Sequence, residues 1–330
     1  MPKKAKDAPK TETQKIAERR EEVLSKGRKF RYPIQYTKHR VVFNTIIIGV
    51  LALCALIGLG WLALYKFQDT GDIIYRVTQT LPVTVASVDG EPVRYSDYLM
   101  IYRSSIKTVE QQSGQLGNDE DANNLRQSYK RTALNNAESY AYAAKLAREK
   151  NISVSEDEIQ ETYDEHRKIG VDERSDEAFA AILEKNFGMS TREYRHMLQM
   201  SLLKSKVAQA IDSQAQTTAT QIEAEVAGGN SDLAKIAEKF GDKVQYEETG
   251  GLVSSTNIDG GRATKALGLQ PNQVSQKFLS TNGDGYYFVK LIAKKDTQVN
   301  YASIKVKFTT FNDQLNKLRQ EHKIDEAIEL

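Results

Sequence analysis

Residues 41–65 read VVFNTIIIGVLALCALIGLGWLALY, an uncharged run of 25 residues between His39-Arg40 and Lys66. A hydrocarbon core of about 30 Å needs about 20 apolar helical residues, so this run can span it with some tilt. Trp61 and Tyr65 fall where an aromatic belt sits. A buried helix of a soluble protein rarely runs so far without a charge. The run is therefore expected to be a single transmembrane helix, and the lipid bilayer its partner.

The flanks orient it. Residues 1–40 hold thirteen Lys/Arg and five Asp/Glu, a net of +8 in a chain of net +2, so the part beyond Lys66 is acidic. A short basic flank stays in the cytoplasm, and the rest is expected outside it. A cleaved signal peptide fits poorly, because the apolar run is long and no A-x-A site follows closely. Cys54 after Leu51-Ala52-Leu53 is lipobox-like, but Leu53 stands where a small residue belongs. An uncleaved anchor in the cell membrane is the better reading. The tail, residues 1–40, has few large apolar residues before Val23, and reads as disordered apart from a short helix at 18–24. Its expected partner is anionic lipid headgroups, not nucleic acid.

Several chemistries are excluded by the residue inventory. Cys54 is the only cysteine and lies in the apolar run, so no disulfide, thiolate nucleophile or Cys-based zinc site is open to the remainder. His39, His166, His196 and His322 are isolated, and no H-E-x-x-H occurs. No G-x-S-x-G elbow, G-x-G-x-x-G or G-x-x-x-x-G-K is present, so no cofactor and no metal are expected.

Beyond a juxtamembrane linker at 66–82, a β-branched run at 83–88 ends in Asp89-Gly90, a hairpin signal, and Pro92-Val93 resumes it. Ser96 is a candidate cap for a helix carrying Tyr98, Tyr102 and Ile106. A loop at 111–122 precedes a long helix to about Lys150, with a stripe from Leu125 and Tyr129 through Ala133, Ala137 and Tyr140 to Ala147. Asn151 stands at its C′ position. Ser155-x-x-Glu158 and Ser190-x-x-Glu193 are capping boxes for two further helices, and a shorter helix with Phe179, Leu183 and Phe187 lies between them, stopped by Gly188.

This succession resembles the SurA/PrsA-type extracytoplasmic chaperones. The segment VTVASVDGEPVRYSDYL (83–99) is similar to their opening strand–turn–helix, KNISVSEDEIQETY (150–163) to their second signature, and FGMSTREYRHML (187–198) to their third. The resemblance covers residues 83–212 and implies a helical module that holds unfolded or nascent exported polypeptides.

After a Gln/Thr/Ala linker at 213–230, Ser231 is a candidate cap for a helix with Leu233, Ile236, Ala237 and Phe240. Strands are expected at 244–247, 286–293 and 299–308, the last two joined by Lys294-Lys295-Asp296. Ile304, Val306 and Phe308 alternate with Lys305 and Lys307 as in a half-buried strand. A short helix near 263–267 and a closing helix with Phe311, Leu315 and Leu318 complete an α+β domain at 231–330, expected to fold apart from the helical module. Parts of it resemble parvulin-type prolyl isomerases: residues 232–240, Gly250-Gly251-Leu252, LGLQPNQVS (267–275) and GYYFVKL (285–291). Tyr287 stands at the family's last active-site histidine, and the opening strand is absent before 231. Its only look-alike is ASIKV (302–306), with Ser303 at the histidine position. The domain thus reads as degenerate and open to a permuted reading.

Sixteen tyrosines against one tryptophan is the unusual abundance. Tyr98, Tyr102, Tyr129, Tyr140, Tyr163 and Tyr194 are candidates to line a client groove, since Tyr joins an apolar body to a polar tip; filling a helical core is the alternative. The expected fold is a single-pass membrane anchor, a mostly α chaperone domain and a small α+β parvulin-like domain with an antiparallel sheet. The expected function is a membrane-anchored extracytoplasmic chaperone or foldase without enzymatic activity. An active prolyl isomerase and a non-enzymatic envelope scaffold stay open beside it.

Overall fold

A computed structural model describes residues 11–169, 172–257 and 259–330. The chain divides into two units, residues 1–68 and 69–330. The first is a single helix, α1 (Glu12–Trp61), continued by a π-helical turn at Leu62–Lys66. Within it Arg40–Lys66 is long and apolar enough to cross a membrane, with an 18-residue stretch of mean hydropathy 2.6. The expectation of a disordered tail is corrected from residue 12 onward; residues 1–10 lie outside the described residues. The cause is local. Gln14 accepts from the Thr11 N–H at 3.3 Å, a Lys26–Glu22 pair at 2.8 Å adds i,i+4 support, and the segment is rich in strong helix formers.

The second unit opens with α2 (Asp72–Thr80), where a linker was expected. The hairpin follows as read: β1 (Thr84–Val88) and β2 (Glu91–Arg94) are antiparallel, with Asp89 and Gly90 at φ 49° and 82°, the left-handed pair that such a two-residue turn requires. Helix α3 (Tyr95–Ser113) starts one residue before Ser96, with Arg94 at the N-cap. Helix α4 (Glu120–Lys150) is capped by Asp119 and ends on Asn151 in the left-handed region. Its buried face also takes in Leu134, Glu138, Tyr142 and Leu146, because α3, α7 and the hairpin all pack on it.

Both capping boxes form, at α5 (Glu156–Arg167) and, further on, α7 (Thr191–Ile211). The two-residue strands β3 (Lys168–Ile169) and β4 (Asp172–Glu173) pair between α5 and α6 (Asp176–Phe187), and Gly188 ends α6 at φ 62°. Helix α7 is clasped by α4, α5 and α6, which uses its apolar residues on more than one side.

The segment expected as a Gln/Thr/Ala linker is instead α8 (Ser213–Ala227), capped by Asp212. Helix α9 (Leu233–Phe240) takes Asp232, not Ser231, as its cap. The sheet comprises β5 (Val244–Glu248), β6 (Val253–Ser254), β7 (Phe278–Leu279), β8 (Gly285–Lys295) and β9 (Gln298–Lys307), all pairings antiparallel, in the order β5-β9-β8-β7 with β6 also on β9. The β9 strand is therefore central. One sheet face, with Val289, Leu291, Val299 and Tyr301, packs on α10 (Arg262–Leu267). The other, with Phe288, Ile304 and Val306, meets α8 and α9.

The chain then returns to the helical part. Helix α11 (Thr310–Gln320) packs on α7, and β10 (Ile324–Glu326) pairs with β1. This corrects the expected domain at 231–330: its last stretch completes the hairpin's sheet, in the order β10-β1-β2. Phe311, Leu315 and Leu318 are buried, and the Phe311 ring lies 5.4 Å from that of Tyr142 on α4. Asp212, buried, fixes the crossing. Its Oδ1 accepts from the Ala215 N–H at 2.9 Å, and its Oδ2 from those of Thr309 and Thr310 at 2.7 and 3.1 Å. Gly283, at φ 67°, touches the same junction so closely that a Cβ there would lie 2.3 Å from Ser205 Oγ on α7.

Candidate functional site

The six candidate tyrosines fall into two groups. Tyr98, Tyr102 and Tyr163 are 0, 5 and 2% exposed, while Tyr129, Tyr140 and Tyr194 are half-buried. Tyr95, Tyr98 and Tyr102 form a ladder along α3, with centroids 5.5 and then 6.4 Å apart. The Tyr98 hydroxyl is buried without a hydrogen-bond partner among the described residues, and burial pushes its pKa up. Tyr163 sits in a second cluster with Phe179 and Tyr194, at 5.2 and 6.3 Å, over Ile159, Leu183 and Leu198. Tyr98, Tyr102 and Tyr163 are therefore core side chains, covered by their neighbours.

The half-buried set is placed at the margins. The Tyr194 hydroxyl meets His166 Nδ1 at 2.7 Å, and burial pushes the phenol to about 12 and the imidazole down. The Lys204 ammonium lies 5.6 Å from both the Tyr140 and Phe311 rings and donates to Ser139 Oγ at 3.0 Å; burial lowers its pKa. Arg195 and Arg167 cover Tyr163 at 5.5 and 5.9 Å from its centroid. Cations thus lie over these aromatic faces and give them a polar edge.

What the tyrosine reading missed is aliphatic. Among the described residues of 69–330 the most exposed large apolar side chain is Ile73 on α2, at 79%, with Val77 and Leu81 on the same side. A helix where a linker was expected hid this spacing.

In the sheet, the two parvulin-like positions lie on one face but not opposite each other. Tyr287 pairs with Lys305, and Ser303 with Val289, one diagonal step apart. Arg262 joins them: its Nη1 donates to Ser303 Oγ at 3.2 Å and pairs with Glu247, and its guanidinium carbon stands 5.1 Å from the Tyr287 centroid. Lys305 pairs with Asp284 and lies 5.8 Å from the same ring, while Phe278 stacks on it at 6.0 Å. Tyr301 donates to Asp259 Oδ2 at 2.5 Å beneath Arg262. Burial raises the pKa of Tyr287, and Tyr287 and Ser303 are 2 and 1% exposed. A paired, covered cluster offers no access to a peptide.

The SurA-like N-terminal domain model matches residues 35–208, more than half of the chain. The chain belongs to the SurA-like N-terminal domain family. That assigns it to a chaperone-type, extracytoplasmic class, and the match begins inside the basic tail and takes in the apolar helix. No curated protein and no solved structure matches the chain. Among the described residues, no group of three His, Cys, Asp or Glu is placed to hold a metal ion.

Proposed function

We propose that the protein is a membrane-tethered extracytoplasmic chaperone that holds unfolded or nascent exported polypeptides and catalyses no reaction. The observation that carries this reading is the SurA-like match over residues 35–208, continuous with a helix able to cross a membrane. The charge asymmetry across that helix supports a cytoplasmic N-terminus, with the basic tail on anionic headgroups. Tyr129, Tyr140 and Tyr194, the half-buried candidates, would contribute adaptable contacts to clients. The parvulin-like part is read as a degenerate relative in which β9 takes the place of the missing first strand, and its central position supports that.

A panel of unrelated, chemically unfolded proteins tests the proposal. The full chain in detergent or lipid discs is expected to suppress aggregation of most of them at stoichiometric amounts. Suppression of one protein only, or of none, would point to a scaffold with a fixed partner.

A further inference from the structure

Helix α2 has one side packed on the rest of its unit and one exposed apolar side. Thr78 is 1% exposed against the rest of the unit, Tyr75 and Gln79 donate to Glu193 on α7, and Asp72 pairs with Arg103 on α3. On the other side Ile73, Val77 and Leu81 are 79, 41 and 52% exposed. They recur every fourth residue, so they form one line about 12 Å long at 1.5 Å per residue. Exposed Arg76 and Thr80 flank the line. The one acid of the helix, Asp72, is occupied by Arg103, which leaves this side with positive charge only.

The place of α2 in the chain says what covers that side. It begins six residues after Lys66, the last residue of the apolar helix, a reach of at most about 21 Å at about 3.5 Å per residue. A segment tethered that closely meets a surface at high effective concentration. A short helix with an aliphatic line, a flanking arginine and no free acid suits the boundary between headgroups and acyl chains.

We infer that α2 lies on the outer face of the membrane, with Ile73, Val77 and Leu81 in the headgroup–acyl boundary and Arg76 on lipid phosphates. This rests on the reading of residues 41–65 as a membrane span. The docking of α2 on α3 and α7 then seats the SurA-like domain in one orientation, so that surfaces away from α2 face outward toward clients.

The test uses the full chain in a Cys54→Ser background, reconstituted into vesicles of phosphatidylcholine and phosphatidylglycerol. A bimane label is placed in turn at Val50→Cys, Ile73→Cys and Thr297→Cys, and quenching by acyl-brominated lipid is read. Labels at 50 and 73 are expected to lose most of their emission, and the label at 297 to keep it. Quenching at 50 with emission at 73 equal to that at 297 overturns the seat and leaves the anchor standing. No quenching at 50 overturns the anchor, and the seat with it. A label at 73 that responds only when an unfolded polypeptide is added assigns this side to clients and also overturns the inference.

Discussion

Arg319 Nη2 donates to Glu138 Oε2 at 2.6 Å, joining residues 181 positions apart. Glu138 is fully buried on α4, whereas Arg319, on α11, is 42% exposed at its side chain. The last helix of the chain thus supplies the counter-ion of a carboxylate in the centre of the SurA-like domain, and Glu138 Oε1 has no partner among the described residues. Removing one partner strands a buried charge; removing the other leaves an arginine free to turn to water.

The two halves of that pair should therefore differ. Arg319→Ala is expected to cost about 2–4 kcal/mol at neutral pH, less than a fully buried pair because Arg319 is partly solvated. Glu138→Gln should cost less. Burial raises the Glu138 pKa above its ordinary 4.5 against the pull of Arg319. The native state then holds this proton to higher pH than the unfolded chain, so its contribution weakens as pH rises above 4.5 toward the native value. Urea unfolding at several pH values should show that fall deepened in Arg319→Ala and flattened in Glu138→Gln. Equal losses in both variants would contradict the assignment.

Glu193 titrates with the opposite sign. Burial works to raise its pKa, but hydrogen bonds from Ser190, Tyr75 and Gln79 outweigh it and hold the carboxyl below 4.5. Its contribution is complete above pH 4.5 and lost as pH falls through the native value. Glu193→Gln is expected to cost about 1–2 kcal/mol at neutral pH and to reduce the loss on acidification. Because Tyr75 and Gln79 belong to α2, hydrogen exchange at 72–80 should speed up in this variant. Unchanged exchange there would show that α2 is held by other contacts.

Truncation after Phe308 should damage the helical part more than the sheet. It removes Phe311, Leu315, Leu318 and Ile328, each 9% exposed or less, together with β10 from the edge of β1. Buried apolar side chains of this size contribute roughly 1.5–3 kcal/mol each, against a typical total of about 5–15 kcal/mol. Thermal unfolding followed by circular dichroism is expected to shift the helical melt far downward or abolish it. A melt at the full-length midpoint would mean that residues 309–330 are an accessory.

How much of this was visible in the sequence depends on the range of each interaction. Ser155 with Glu158, Ser190 with Glu193, and the Asp89-Gly90 turn act within three or four residues, and all formed as read. The alternation at Ile304, Val306 and Phe308 placed β9, though not at the centre of the sheet, because pairing partners are not written in one strand's period. The β1–β10 pairing involves a three-residue strand more than 200 positions from its partner, too short for a pattern. Helix α8 was hidden by a Gln/Thr/Ala composition typical of linkers, and its cap, Asp212, owes its burial to Thr309 and Thr310. Tyrosine abundance was legible but its placement was not, since Tyr98 and Tyr163 serve the core as well as they would a groove.

Prolyl isomerisation is expected to be absent. Lowering a barrier of about 18–20 kcal/mol requires holding a twisted imide in an open cleft. Tyr287 and Ser303 are instead covered and tied to Arg262, Lys305 and Phe278. A protease-coupled assay on a proline tetrapeptide should give background rates for the full chain. Acceleration that is lost on Arg262→Ala would contradict this.

The central claim is a chain held across the membrane with its SurA-like domain outside the cytoplasm, and labelling in intact cells tests it most directly. Single cysteines at Ile16 and Thr297, both exposed, are introduced separately into a Cys54→Ser background and treated with a membrane-impermeant maleimide. Thr297→Cys is predicted to react in intact cells and Ile16→Cys only after lysis. The reverse pattern, or protection of both positions until lysis, would contradict the account.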